Sequence, residues 1–251
     1  MGHHTDAAAL YAQTSAFQSD RGLNLIAEAA PARGERVLDL GCGPGKLTRE
    51  LARRVGPAGT VVGIDPDPDR LDVARMTTPK GMTNLRFELG RAEALCSFDE
   101  NSMDLIYSNY VAHWIPDRDA LMAAVYRFLK PGGRCAFEFC GPFTGFVEEL
   151  IDESLASGQG LPNPIDAFPV ADWRETLKVA GFDIERCEQI EVPYHFASYA
   201  DFAAWWEGTT HGTVRMDRLD PAYIAKLRRH FQGGGAFTAN SIRLHARKPR
   251  A

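Results

Sequence analysis

Asp39, Gly41, Gly43, Gly45 and Asp65 are the residues of this 251-residue chain whose types and spacing point most directly to chemistry. The first four lie in "VLDLGCGPG", Val37 to Gly45, an apolar run that enters a turn with glycines spaced G-x-G-x-G. Glycines at a strand-to-helix corner let the backbone approach a ligand and present N–H groups at the helix start. A dinucleotide pyrophosphate is normally held on G-x-G-x-x-G. Here Pro44 replaces a free amide and Gly45 comes one residue early, so the turn is less suited to phosphate. Cys42 lies inside the turn, where its small size suffices. Asp65 ends the next apolar run, "GIDPDPD", about 20 residues on, where an acid takes ribose hydroxyls. Together these residues suit an adenosine with a small polar tail.

Bringing Asp39 and Asp65 side by side requires two parallel strands ending on one edge. The first half of the chain supplies them. "RVLDLG", "GTVVGID", "NLRFELG", "SMDLIYSNY" and "RCAFEFCG" read as strands. They alternate with helical stretches such as "GKLTRELARRVG", which ends at Gly56, "DPDRLDVARMT" and "DRDALMAAVYRFLKPGG", stopped by Pro131 and Gly132. Such alternation predicts a parallel sheet covered on both faces, with right-handed crossovers that put the strand C-termini on a common ligand edge. Further on, "GFVEELIDESLA" and "ADWRETLKVAG" read as helices, "FDIERCEQIEVPYHF" as a sixth strand and "NSIRLHARKP" as the last. The chain reads as one domain, 1–251, with an N-terminal helical cap over 1–30. A helical insertion over 195–240 is expected to act as a lid, being long for a plain connection.

"VLDLGCGPG", Asp65, "GRAEAL", "DLIYSNYVAHW" and "FLKPGG" stand in the order found in class I S-adenosylmethionine-dependent methyltransferases, which residues 35 to 140 resemble. The resemblance implies a Rossmann-like α/β fold: a seven-stranded, mostly parallel sheet with an antiparallel last strand, helices on both faces and a small helical lid. It implies S-adenosylmethionine as the cofactor. Asp39 would help hold the methionine end, with the Gly41–Gly43–Gly45 backbone and Cys42 beneath it. Asp65, followed by Pro66, would bind the ribose, and Asn109 would lie by the methionine moiety. Members of the family similar to this chain often carry G-D-A-E, whose Asp bonds the adenine amino group. This chain has Gly90-Arg91-Ala92-Glu93, and a guanidinium accepts no hydrogen bond. Arg91 then stacks on the purine or points to solvent, leaving adenine to backbone groups at Ala92 or to Glu93.

"SNYVAHW", Ser108 to Trp114, resembles the trans-aconitate and juvenile hormone acid methyltransferase subgroup. That likeness implies that Trp114 and Gln18 hold an acceptor carboxylate. A carboxylate is already ionised at neutral pH and needs no base. A phenol or activated carbon would need one, and His113, His195 and above all His211, in "WWEGTTHG", are the candidates. Aromatic density near the strand edge, from Tyr11 and Phe17 to Trp205 and Trp206, points to a medium-sized, largely apolar acceptor. One alternative is carbon methylation of an isoprenoid or quinone-like ring, with Glu138, Glu148 or Glu207 stabilising a cation. Another is a cofactor-binding protein that has lost transfer.

The composition narrows the classes further. A net charge of −5 and the absence of an N/D-P-P-Y motif argue against a nucleic-acid substrate. No apolar run reaches the length that spans a bilayer, and the N-terminus lacks the pattern of a secretory signal. Five cysteines without C-x-x-C or zinc-finger spacing suggest free thiols in a reducing cytoplasm and no metal site. The expected partner is a small-molecule acceptor; the oligomeric state is left open.

Overall fold

The computed structural model describes residues 19–91, 98–160, 167–210 and 212–250. Gln18, Ala92, Glu93 and His211, together with Tyr11 and Phe17, lie outside the described residues. Residues 19–29 form helix α1. Strands β1 (Arg36–Leu40), β2 (Thr60–Asp65), β3 (Leu85–Leu89), β4 (Met103–Asn109), β5 (Leu129–Cys140), β6 (Asp183–Phe196) and β7 (Gly235–Arg247) make one sheet in the order β3-β2-β1-β4-β5-β7-β6. β7 runs antiparallel to both its neighbours, and the pairs from β3 across to β5 are parallel. This is the Rossmann-like arrangement expected, antiparallel last strand included.

Burial on both faces explains the apolar runs of the central strands. Alternate residues divide between two cores. Val37, Val61, Leu105 and Tyr107 pack under Leu25 and Ile26 of α1 and under Leu51 and Val55 of α2 (Lys46–Val55). Leu38, Leu40, Val62 and Ile106 face the other way, against α4 (Arg118–Phe128) and α6 (Val170–Val179). The helix starts are encoded locally. Asp67 accepts from the N–H groups of Asp69 and Arg70 to cap α3 (Pro68–Met76), and Pro68 needs no partner for its nitrogen.

A third core lies at the end of the sheet where β5 and β6 finish and β7 begins. It joins α5 (Phe146–Ala156), α7 (Tyr199–Thr209) and α8 (Pro221–His230). Two boundaries differ from expectation. Helix α4 stops at Phe128, and "LKPGG" belongs to β5, because Lys130 precedes a proline and is driven to extended backbone while Leu129 pairs with Met103. β7 starts at Gly235, so the segment joining β6 to β7 covers 197–234. The small residues Ala236 and Ala239 hid a strand held by pairing to Tyr194 and Phe196.

Candidate functional site

The glycine turn is tied to the end of β2 by backbone. The N–H groups of Gly41 and Cys42 both donate to the Ile64 carbonyl, at 2.8 and 2.9 Å. The Gly43 N–H donates to Asp65 Oδ2 at 2.9 Å, and the Asp67 N–H donates to Asp65 Oδ1 at 3.0 Å. Each Asp65 oxygen keeps a second lone pair for a diol. Gly41 and Gly43 have positive φ but serve different ends. A Cβ on Gly41 would stand 2.2 Å from Val111 Cγ2, so Gly41 admits the chain that leaves β4. A Cβ on Gly43 would meet no described residue within 4 Å, so Gly43 opens away from the described chain. Gly45 begins α2 beneath Phe87, and the Cys42 side chain packs on Gly63. Burial, then Asp39 and Asp65, push the Cys42 thiol well above its usual range, so it is no nucleophile.

Asp39 is 2 % exposed and accepts from Thr48 Oγ1, in the first turn of α2, at 2.7 Å. Burial raises its carboxyl to about 7; the Thr48 bond opposes this and Asp65 adds to it. A buried acid in this state gains most from a cation placed beside it. The edge therefore fits an adenosine with an amino-acid tail. In that fit Asp39 would face the charged end, Gly43 would leave the space and Asp65 would take the sugar. Pro66 follows Asp65 at the strand end, whereas Arg91 is exposed beyond β3.

Asn109 ends β4, half-buried and in register with Glu138 of β5. Tyr110 follows with φ of 57°, a left-handed backbone, and its N–H donates to the Glu138 carbonyl at 2.6 Å. Strain of this kind in a non-glycine residue collects at functional sites. A 3-10 turn, Ala112–Trp114, then carries buried His113 and half-buried Trp114, their rings 5.0 Å apart. His113 Nδ1 accepts from the Cys140 N–H at 3.4 Å, and burial pushes the imidazole down to about 3. His195 is exposed on β6.

Many of the aromatic side chains near the strand edge do not stand alone but pack on one another. Phe202 stacks on Phe231 at 4.3 Å and Tyr194 on Phe237 at 5.1 Å, with Phe146, Phe196, Trp205 and Trp206 around them. Trp173 lies in the main core against Phe139. Nor is Glu138 a free carboxylate for a cationic ring. It is fully buried between the guanidiniums of Arg21 from α1 and Arg243 from β7. Glu148 is exposed, and Glu207 accepts from the Met216 N–H at 2.9 Å. The Arg21–Glu138–Arg243 cluster is what sequence reasoning missed. Its signal was an acid inside "CAFEFC", a strand otherwise apolar on both faces, matched by an arginine in the apolar part of β7.

A methyltransferase domain family model matches residues 31–160. The chain is 33% identical over 224 residues to a trans-aconitate 2-methyltransferase of Methylobacterium radiotolerans, covering 86% of this chain and 84% of that protein. It is 35% identical over 211 residues to an arsenite methyltransferase of Aquipseudomonas alcaligenes, covering 80% of this chain but only 60% of that protein's length. Among solved structures, the YcgJ protein of Bacillus subtilis shares the fold with a TM-score of 0.68 at 22% identity, over 92% of this chain and 100% of that one.

Proposed function

We propose that this chain, which belongs to the S-adenosylmethionine-dependent methyltransferase domain family, methylates the carboxylate of a small molecule. One observation carries the choice of acceptor. Among the described residues that gather at the end of β4, none is a usable base. His113 is held down to about 3, Tyr110 is pushed up to about 12 by burial, and Glu138 is occupied by two arginines. An acceptor that arrives already ionised needs no base, and a carboxylate does so at neutral pH.

When bound, S-adenosylmethionine supplies an electrophilic methyl group on a sulfonium. The chain's own part is binding and alignment. Asp39, positioned by Thr48, holds the amino-acid end, Asp65 the ribose, and Asn109 borders the reacting space. The aromatic-cored α7–α8 segment leaves and rejoins the sheet at this same edge and serves as the lid that excludes water. Alignment of the two groups contributes up to about 7–11 kcal/mol in favourable cases. Gln18 and Trp114 remain candidates for touching the acceptor.

The test is transfer of isotopically labelled methyl from S-adenosylmethionine to a panel of carboxylic acids, phenols and arsenite. Acids should be methylated, with a rate that stays level from about pH 7 to about pH 9, since a carboxylate is ionised throughout. Preference for phenols, with a rate climbing about tenfold per pH unit, would refute the reading.

A further inference from the structure

Arg21 stands apart from the chain's surface arginines. Its side chain is only 18% exposed, and its Nε donates to Glu138 Oε1. Its Nη2 is buried with no hydrogen-bond partner among the described residues. Such an N–H group is expensive to leave unmet, the more so on a charged group. The fold nevertheless holds it in place. Gly22, the next residue, lets α1 lie close against α2 and the sheet: a Cβ there would stand 2.3 Å from Leu47 Cδ1 of α2, and the Tyr107 hydroxyl of β4 donates to the Gly22 carbonyl at 2.9 Å.

What surrounds Arg21 favours an anion. In the buried part of the cluster one carboxylate, Glu138, faces two guanidiniums. The second acid on Arg243, Glu28, is partly exposed and shared with Arg186. Tyr110 and Tyr194 lie within electrostatic reach of Arg21. The Tyr110 hydroxyl is hydrogen-bonded to Tyr194 and lies 3.3 Å from Ser241 Oγ. A hydroxyl pair of this kind has a proton to turn towards an incoming oxygen. Glu138 is in register with Asn109, so the cluster borders the reacting space and is not a remote surface pair.

We infer that Arg21 Nη2, with the Tyr110–Tyr194 hydroxyl pair beside it, takes one oxygen of the acceptor's carboxylate and leaves the other oxygen to receive the methyl group. Arg21 is thus a specificity-determining residue for anionic acceptors. The inference rests on the carboxylate reading above and adds the residue that enforces it.

The experiment measures binding by calorimetry, without turnover, to protein saturated with S-adenosylhomocysteine. The probes are trans-aconitate, phenylacetate and decanoate, each beside its primary amide. Wild-type protein should favour at least one acid over its amide by about tenfold or more, the worth of one hydrogen bond to a charged group. Arg21→Gln should abolish that preference while leaving S-adenosylhomocysteine affinity unchanged. Should Arg21→Gln fail to fold, because Glu138 loses a partner, Arg21→Lys keeps the charge without the planar fork. It should lose about threefold or more of the preference. If the wild type does not separate acid from amide, the carboxylate reading fails and the inference falls with it. If the wild type separates them and the folded Arg21 variant does so equally well, only the role of Arg21 is overturned.

Discussion

Lowering the pH from about 7.5 to about 5.5 should weaken S-adenosylmethionine binding about twenty-fivefold through Asp39 alone. The magnitude follows from the site. Burial raises the Asp39 carboxyl to about 7 in the free protein, whereas a bound ammonium group requires the ionised form. Affinity then scales with the ionised fraction, roughly three-quarters at the upper pH and about 3% at the lower. Near pH 6.5 binding should release about three-quarters of a proton. Calorimetry in two buffers of different ionisation enthalpy measures both quantities. Asp39→Asn should remove the pH dependence and the proton release, and should weaken binding about ten- to hundredfold at neutral pH. Wild-type affinity that is level across this range, with no proton released, would refute the assignment of Asp39 to the charged end of the cofactor.

The same carboxyl bears on folding. Its value in the folded state lies above the unfolded one, so the native state holds the proton more tightly. The stability of the free protein should therefore fall as pH rises from about 4 to about 7, and Asp39→Asn should recover on the order of 4 kcal/mol at alkaline pH, read by urea denaturation. Gly41→Ala should cost several kcal/mol, because its methyl would meet Val111. Gly43→Ala, with only about 1–2 kcal/mol of backbone strain, should leave the fold intact but weaken cofactor binding about tenfold or more. Calorimetry and denaturation on the same two samples separate these outcomes. Glu138→Gln should destabilise by about 3–5 kcal/mol, since it leaves two buried guanidiniums facing a neutral amide. Phe202→Ala should cost about 3–5 kcal/mol by opening a cavity against Phe231.

The parts of the fold that could be read from sequence were those written in local pattern. The apolar run into the glycine turn, the acid ending β2 and the Asp-capped helices each depend on residues a few positions apart. The end of α4 and the start of β7 were misjudged because their pairing partners, Met103 and Phe196, lie far away in the chain. The ion cluster joins Glu138 to residues 117 positions before it and 105 after it. No periodicity reports such a contact; only the cost of an acid in an apolar strand hints at it. The aromatic residues show the opposite difficulty. Composition reveals their number, but whether Tyr194 or Trp205 faces a ligand or another ring depends on helices folding back over the sheet.

The place of β7 has a consequence for the order in which the chain assembles. It lies between β5 and β6, and among the described residues β6 bonds to no other strand. Once made, the fourteen residues of β6 must stay unpaired at both edges while the α7–α8 segment passes. Arg243 arrives with β7, so Glu138 has only Arg21 to neutralise it until then. Insertion of β7 thus completes the sheet, pairs β6 and balances the buried acid in one event. A chain cut before Gly235 should keep an exposed, aggregation-prone edge and an under-compensated charge in its core, however well β1 to β4 have formed.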